Sequence, residues 1–394
     1  MHATSNPEND FKESLRECVC RQWETFPYYK KLCEKKGLHL EDLKKAIDNE
    51  EYYILPGVAS MAFKKSRGLT DELNDLSGMG IFQVSSSTSG DPSYVYTHAD
   101  EFETIRSNYQ ECFGIKGVSK AIAFSPTVRI LENLSKKAAW MGKQSYARMQ
   151  FALEGGQRHY SELEFSLDIH TMKSVVSMVF QNKPTFNRLT QEDLIESLAR
   201  SEMKKELLVL GGVVLLFTPY LRQMKAGQFN FNDRIHIVFS GGGYSGRKGS
   251  IRGDKISKAD LARNISAVFG MDERYLATNF KDIYGFTESP AIHEGYWNRD
   301  VEDFMFTPTP ESRVYIVDPE TEKPLRQGKG LFKVIAPCRN GKPSAANISL
   351  VQYDMARIFG VKPNYQVTRF SHISRFQTAG EEGCALKADA IANG

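Results

Sequence analysis

Ile235-His236-Ile237-Val238-Phe239, followed at once by Ser240-Gly241-Gly242-Gly243, reads as a short buried strand that runs straight into a tight loop. Upstream of it, the apolar run Leu207 to Phe217 carries Gly211 and Gly212 and falls far short of the ~20 residues a membrane-spanning helix needs, so it is expected to be buried core. Before that run, Ala121 to Phe124 reads as a strand closed by Pro126 and Leu131 to Trp140 as a helix, and the alternation returns with Ser174 to Phe180 and Leu194 to Arg200. Nearer the start, Ile81-Phe82-Gln83-Val84 is a strand that feeds a loop of small polar residues, with a second short strand at Tyr94 to Tyr96 and a helix from Asp100 to Gly114. Strand and helix in alternation predict an α/β fold built on a layered, largely parallel sheet.

The flanks differ in texture. Phe11, Leu15, Cys18, Trp23, Tyr28, Leu32 and Leu40, interrupted by Pro27 and Gly37, predict an opening helical layer. Beyond Arg313, Val314-Tyr315-Ile316-Val317 and Leu331-Phe332-Lys333-Val334-Ile335 alternate about turns at Asp318-Pro319 and Gly328, as an antiparallel β-subdomain would. The expected organisation is a large domain over residues 1–351 and a short C-terminal module over residues 352–394.

With 394 residues the chain can bury roughly 75% of its unfolded surface and does not need disulfides. The six cysteines, Cys18, Cys20, Cys33, Cys112, Cys338 and Cys384, include no C-x-x-C pair, and no metal cluster is expected from them. A net charge of +3 without a basic block argues against nucleic-acid binding. The polar N-terminus, with Pro7, Glu8 and Asp10, does not have the apolar core of a signal peptide, and a cytoplasmic location is the expectation.

Two strings carry chemistry. Ser85-Ser86-Ser87-Thr88-Ser89-Gly90-Asp91-Pro92-Ser93 packs hydroxyls around a glycine, so that backbone amides and side-chain donors can converge on a polyanion such as the triphosphate of ATP. It lacks the Gly-Lys-Ser/Thr of a Walker loop, and the same composition also suits a solvated Ser-rich turn. Asp282-Ile283-Tyr284-Gly285-Phe286-Thr287-Glu288 brings together an aromatic ring for a purine, a glycine for close backbone approach, a hydroxyl for a phosphate oxygen and a carboxylate for a divalent cation.

Together the strings resemble the signature of the acyl-adenylate-forming superfamily, and more closely the acyl-protein synthetases of bacterial luminescence (LuxE-like), through Ser240-Gly241-Gly242-Gly243-Tyr244 and the terminal Gly383-Cys384-Ala385-Leu386. The resemblance covers Gln83 to Leu386. It implies that Ser86, Thr88, Ser89 and Gly90 bind phosphate and that Gly241, Gly242 and Gly243 flank the adenine or acyl channel. It also implies that Tyr284 and Gly285 face adenine, that Thr287 and Glu288 contact the α-phosphate and Mg²⁺, and that Asp354 grips the ribose hydroxyls with Arg375 beside it. Ser87 stands where the family has glycine and Ser93 where many ligases have lysine. The chain ends soon after Cys384, which is expected to leave no room for the C-terminal domain that supplies a catalytic lysine in acyl-CoA ligases.

In such an enzyme ATP activates a carboxylic acid as its adenylate, and Cys384 takes the acyl group before delivery to a reductase or carrier protein. Glu381 and Glu382 beside it raise rather than lower its thiol pKa, and a small buried apolar residue is the other reading of this cysteine. Arg247, Lys248, Arg252 and Lys255 suit either the phosphate of CoA or phosphopantetheine or a plain solvated surface. His236 is expected in the core, and His293 follows the second string closely enough to reach the site. Two other functions stay open: a ligase that transfers the acyl group directly to CoA, and a catalytically decayed scaffold of the same fold.

Overall fold

The computed structural model describes residues 7–64, 69–85, 93–118, 120–126, 145–168, 187–248 and 251–376. The helices expected over Leu131 to Trp140, the segment Ser174 to Phe180, most of the hydroxyl-rich loop and Cys384 lie outside these residues.

The opening helical layer is present as Pro7–Thr25, Pro27–Lys35 and Leu40–Asp48. In the first of these, Phe11, Leu15, Cys18, Val19 and Gln22 recur at helical spacing and are the buried residues. Pro27 opens the second helix, where its missing N–H costs no hydrogen bond. Glu8 ties this layer to the rest: its carboxylate accepts from Tyr52 Oη at 2.9 Å and from Arg313 at 2.7 Å, and the Arg313 guanidinium lies 3.8 Å from the Phe11 ring centroid.

Among the described residues one sheet of thirteen strands forms the body. Its parallel half runs, in spatial order, through Phe280–Gly285, Ile235–Ser240, Leu208–Gly212, Lys120–Pro126 and Glu162–Asp168. Helices Gln191–Met203, Val214–Leu221 and Lys258–Phe269 are connections between these strands. Thr190 and Ser257 cap the first and last of them, each hydroxyl accepting a backbone N–H at 3.0 Å. The run Leu207 to Phe217 divides: Leu208–Gly212 is a strand, and the chain turns at Gly212 into the helix Val214–Leu221. Gly212 has φ +120°, and a Cβ there would lie 2.6 Å from the Phe124 carbonyl oxygen, so only glycine lets the strand pack this close before the turn.

The other half is antiparallel, through Ile292–Asn298, Asp303–Thr307, Val367–Arg375, Arg313–Val317, Lys329–Ile335 and Ser349–Val361, with Val58–Ala59 added in parallel at the edge. The β-texture read beyond Arg313 is therefore a continuation of the main sheet. Among the described residues the boundary expected at 352 falls inside the strand Ser349–Val361, which pairs with Lys329–Ile335 on one side and Val367–Arg375 on the other. Backbone hydrogen bonds along both edges hold residues 352–376 to the large sheet.

A separate three-stranded sheet pairs Tyr94–His98 with Gly80–Val84 and Gly80–Val84 with Ser145–Ala147. The strands on either side of the hydroxyl-rich segment form an antiparallel pair whose last rung is Val84 opposite Tyr94. Beyond that rung the Ser85 N–H donates to the Ser93 carbonyl at 3.2 Å and the Ser93 N–H to Ser85 Oγ at 2.8 Å.

Candidate active site

Register sets the site. Gly212 pairs with Phe239 and Ser240 with Ile283, so Gly241 to Gly243 and Phe286 to Glu288 leave the sheet side by side at the carboxyl ends of its parallel strands. That end of an open α/β sheet is where ligands bind, because the loops diverge there and leave a crevice. Gly241, Gly242 and Gly243 have φ of +72°, +69° and +106°, a turn that L-residues adopt only under strain.

Successive strand residues face opposite ways, so Asp282 and Tyr284 share one face of their strand and Gln352 and Asp354 one face of theirs. Tyr284 Oη donates to Asp354 Oδ2 at 3.0 Å. Asp354 stands opposite Arg375 on the antiparallel ladder, with Arg375 Nη1 3.4 Å from Asp354 Oδ1. The structure thus brings together Tyr284, Asp354 and Arg375, three residues drawn from separate parts of the sequence. The Tyr284 ring meets Phe332 edge-on at 5.1 Å between centroids and lies near Phe286, Phe306 and Phe370. Burial, and then the Asp354 carboxylate, push its phenol well above the ordinary range, so it stays a proton donor.

Glu288 is buried and its two oxygens are held separately. Oε1 accepts from the Ser93 hydroxyl, and Oε2 from Gln352 Nε2 at 3.4 Å. Both donors are neutral, and among the described residues Glu288 makes no ion pair. A buried carboxylate with hydrogen bonds but no counter-charge has the chemistry of a cation ligand, and Mg²⁺ is commonly held by one or two carboxylates together with substrate phosphates. Among the described residues no group of three or more His, Cys, Asp or Glu side chains could hold a metal by itself. Thr287 is buried as well and lines a cleft of about 830 Å³, open solvent at its mouth included, together with Gln83, Thr97, Glu101, Ser289 and Cys338.

Gly285 is not required by the protein's own packing, since a Cβ there would meet nothing closer than the Ala291 carbonyl oxygen at an ordinary 3.5 Å. Ser86, Thr88, Ser89, Gly90 and Cys384 lie outside the described residues, as does the side chain of Lys248. His236 is half-buried, with its imidazole shifted down by burial. His293 is fully buried behind Tyr284 and pushed down to about 3 by burial, so it is a neutral imidazole. Its Nδ1 accepts the Thr309 N–H at 3.4 Å, and its Nε2 has no hydrogen-bond partner among the described residues.

Sequence reading missed Asp282, Ser93 and Gln352 as members of the site. Asp282 is buried, and burial raises its carboxyl to about 6. Its Oδ2 accepts from Tyr244 Oη at 3.0 Å, and its Oδ1 has no hydrogen-bond partner among the described residues. Lys258 lies over the Tyr244 ring, 5.2 Å from its centroid, and donates to Asp303, which also holds His372 Nδ1 at 3.0 Å. Period-two alternation was the available signal for Asp282 and Gln352, each two residues before a residue already singled out. Ser93 was marked only as the end of the hydroxyl-rich string, and nothing local paired it with Glu288.

The acyl-protein synthetase family model, LuxE, matches residues 170–391, more than half of the chain. Among curated proteins none matches. Among solved structures, 2-hydroxyisobutyryl-CoA ligase in complex with 2-HIB-AMP and CoA superposes with a TM-score of 0.57 at 13% identity, over 95% of this chain and 69% of that one. The same ligase in its postadenylation state with 2-HIB-AMP gives 0.53 at 13% identity, over 91% of this chain and 65% of that one. The chain spans about two thirds of the ligase it matches, and at this identity the likeness establishes the fold alone, an α/β architecture shared with that ligase. Among the described residues no helix is long and apolar enough to cross a membrane.

Proposed function

The chain belongs to the LuxE acyl-protein synthetase family, and from that premise we propose that it activates a carboxylic acid with ATP as an acyl-adenylate and passes the acyl group to a thiol. The observation that carries this reading is the pair of hydrogen bonds on Glu288, from Ser93 at the end of the hydroxyl-rich string and from Gln352 two residues before Asp354. They join Ser93 and Gln352 to Glu288, which supports reading the three segments that carry them as parts of one site.

A carboxylate is a poor electrophile. Attack of its oxygen on the α-phosphorus expels pyrophosphate and leaves AMP as a good leaving group on the acyl carbon. Ser86, Thr88, Ser89 and Gly90 would cradle the phosphates, and Thr287 would donate to the α-phosphate as charge builds on it. Gly241, Gly242 and Gly243 would flank the adenine, with the Tyr284 and Gly285 backbone on its other side. Asp282 Oδ1, which has no hydrogen-bond partner among the described residues, would accept from a nucleobase amino group. Asp354 would take the ribose hydroxyls, with Tyr284 and Arg375 fixing its orientation. When bound, Mg²⁺ supplies the positive charge that offsets the phosphate oxygens, and Glu288 is the residue that would hold it.

In the second half-reaction a thiolate attacks the acyl carbon and AMP departs. Cys384 is the proposed acceptor, passing the acyl group on to a reductase or carrier protein, with CoA or phosphopantetheine as the competing acceptor. The CoA reading is favoured by the likeness to a CoA ligase solved with its adenylate and CoA. Acid-dependent exchange of pyrophosphate into ATP, across fatty, aryl and polyketide-like acids, tests the first step. Exchange present in the wild type and lost in Glu288→Ala supports it. No exchange with any acid, together with no calorimetric ATP binding, overturns it in favour of a scaffold.

A further inference from the structure

Cys18 and Cys338 are 320 residues apart in sequence, yet their Sγ atoms lie 3.2 Å apart. Cys18 is on the buried face of the helix Pro7–Thr25 and has no solvent exposure. Cys338 follows the strand Lys329–Ile335 through Ala336 and Pro337, and it is half-buried on the wall of the cleft that also carries Thr287 and Glu101. The backbone holds the two together: Ser14 Oγ and Cys18 Sγ both donate to the Cys338 carbonyl, at 2.9 and 3.5 Å. The chain after Cys338 continues this wall, with Asn340 Nδ2 donating to Asp100 at 2.8 Å. A disulfide requires about 2.05 Å between sulfurs, so roughly 1 Å of approach by two side chains already in contact would close it.

We propose that Cys18 and Cys338 form a redox latch, joined by oxidation into a disulfide that fixes the cleft wall to the first helix. A small-molecule disulfide is the oxidant. The Cys338 thiolate, reached through the cleft, attacks one of its sulfurs and releases one thiol; the Cys18 thiolate then attacks the Cys338 sulfur and releases the second. The two cysteines lose two protons and two electrons, and the small disulfide is reduced to two thiols. The Cys18 thiol, burial and the nearby Glu101 carboxylate all hold the Cys338 thiol above its ordinary range, which makes the exchange slow near neutrality.

The full chain, incubated with oxidised glutathione at about pH 8.5, alkylated and digested, is mapped by mass spectrometry. The expected result is a peptide pair joining Cys18 to Cys338, with a Tm several degrees above that of the reduced chain, because the cross-link closes a very long loop in the unfolded state. Cys18→Ala and Cys338→Ser should each lose the difference between oxidised and reduced Tm. Recovery of Cys338 only as the free thiol or as a glutathione adduct in the oxidised wild type overturns the proposal. The wild-type peptide map decides even where a variant fails to fold. Neither readout uses ATP turnover, so the latch stands or falls apart from the proposed activity.

Discussion

Ser93 donates its hydroxyl proton to Glu288, across 195 residues of sequence. Ser93 is a neutral donor, and among the described residues Glu288 makes no ion pair, which leaves this buried side chain suited to a cation. Ser93→Ala is expected to destabilise the fold by about 1–3 kcal/mol, the cost of leaving a buried acceptor unpaired. In a Glu288→Ala background the same substitution should cost about 1 kcal/mol less. Urea unfolding of the four proteins measures the coupling, and equal costs in both backgrounds would show that the two side chains do not act together.

Glu288→Ala should lower acid-dependent ATP–pyrophosphate exchange by about 10²-fold or more, as expected when a charge-stabilising group is removed from a buried site. Full activity in this variant would place the cation elsewhere.

Tyr284→Phe removes the hydrogen bond that orients Asp354 while keeping the ring among Phe286, Phe332 and Phe370. A loss of about 1 kcal/mol in nucleotide binding corresponds to a KM for ATP about fivefold higher. An unchanged KM would separate Asp354 from the nucleotide.

Burial raises the Glu101 carboxyl from the usual 4.5 to about 7, although Ser344 Oγ donates to it at 2.7 Å. The folded chain therefore holds this proton more tightly than the unfolded chain does. The resulting stability is fully present below 4.5 and is lost as pH rises through about 7. Glu101→Gln is neutral throughout, so its stability relative to wild type should rise by about 1–2 kcal/mol between acidic and mildly alkaline solution. Denaturant midpoints for both proteins at about pH 5 and about pH 8 test the sign; a constant difference would mean that Glu101 titrates normally.

Cys384→Ala distinguishes the two acceptors. If the acyl group rests on this cysteine, the variant keeps ATP–pyrophosphate exchange and loses covalent labelling by a radioactive acid. If CoA accepts directly, CoA-dependent AMP release continues unchanged.

The sequence by itself determined the alternation of strands and helices, because apolar periodicity is a local property of each segment. Ile235–Ser240 and Arg313–Val317 were legible for that reason, as were the two strings that end at Ser93 and Glu288. Asp354 and Arg375 were marked by resemblance, but nothing local paired them. Only tertiary structure put them on one rung and laid Tyr284 against them, since strand register is chosen by the packing of the whole sheet. It also decided that residues 352–376 belong to that sheet, because the hydrogen bonds of Ser349–Val361 are made by strands on both sides. The contacts of Ser93 with Glu288 and of Cys18 with Cys338 likewise depend on distant segments folding onto a common core, which no window of sequence encodes.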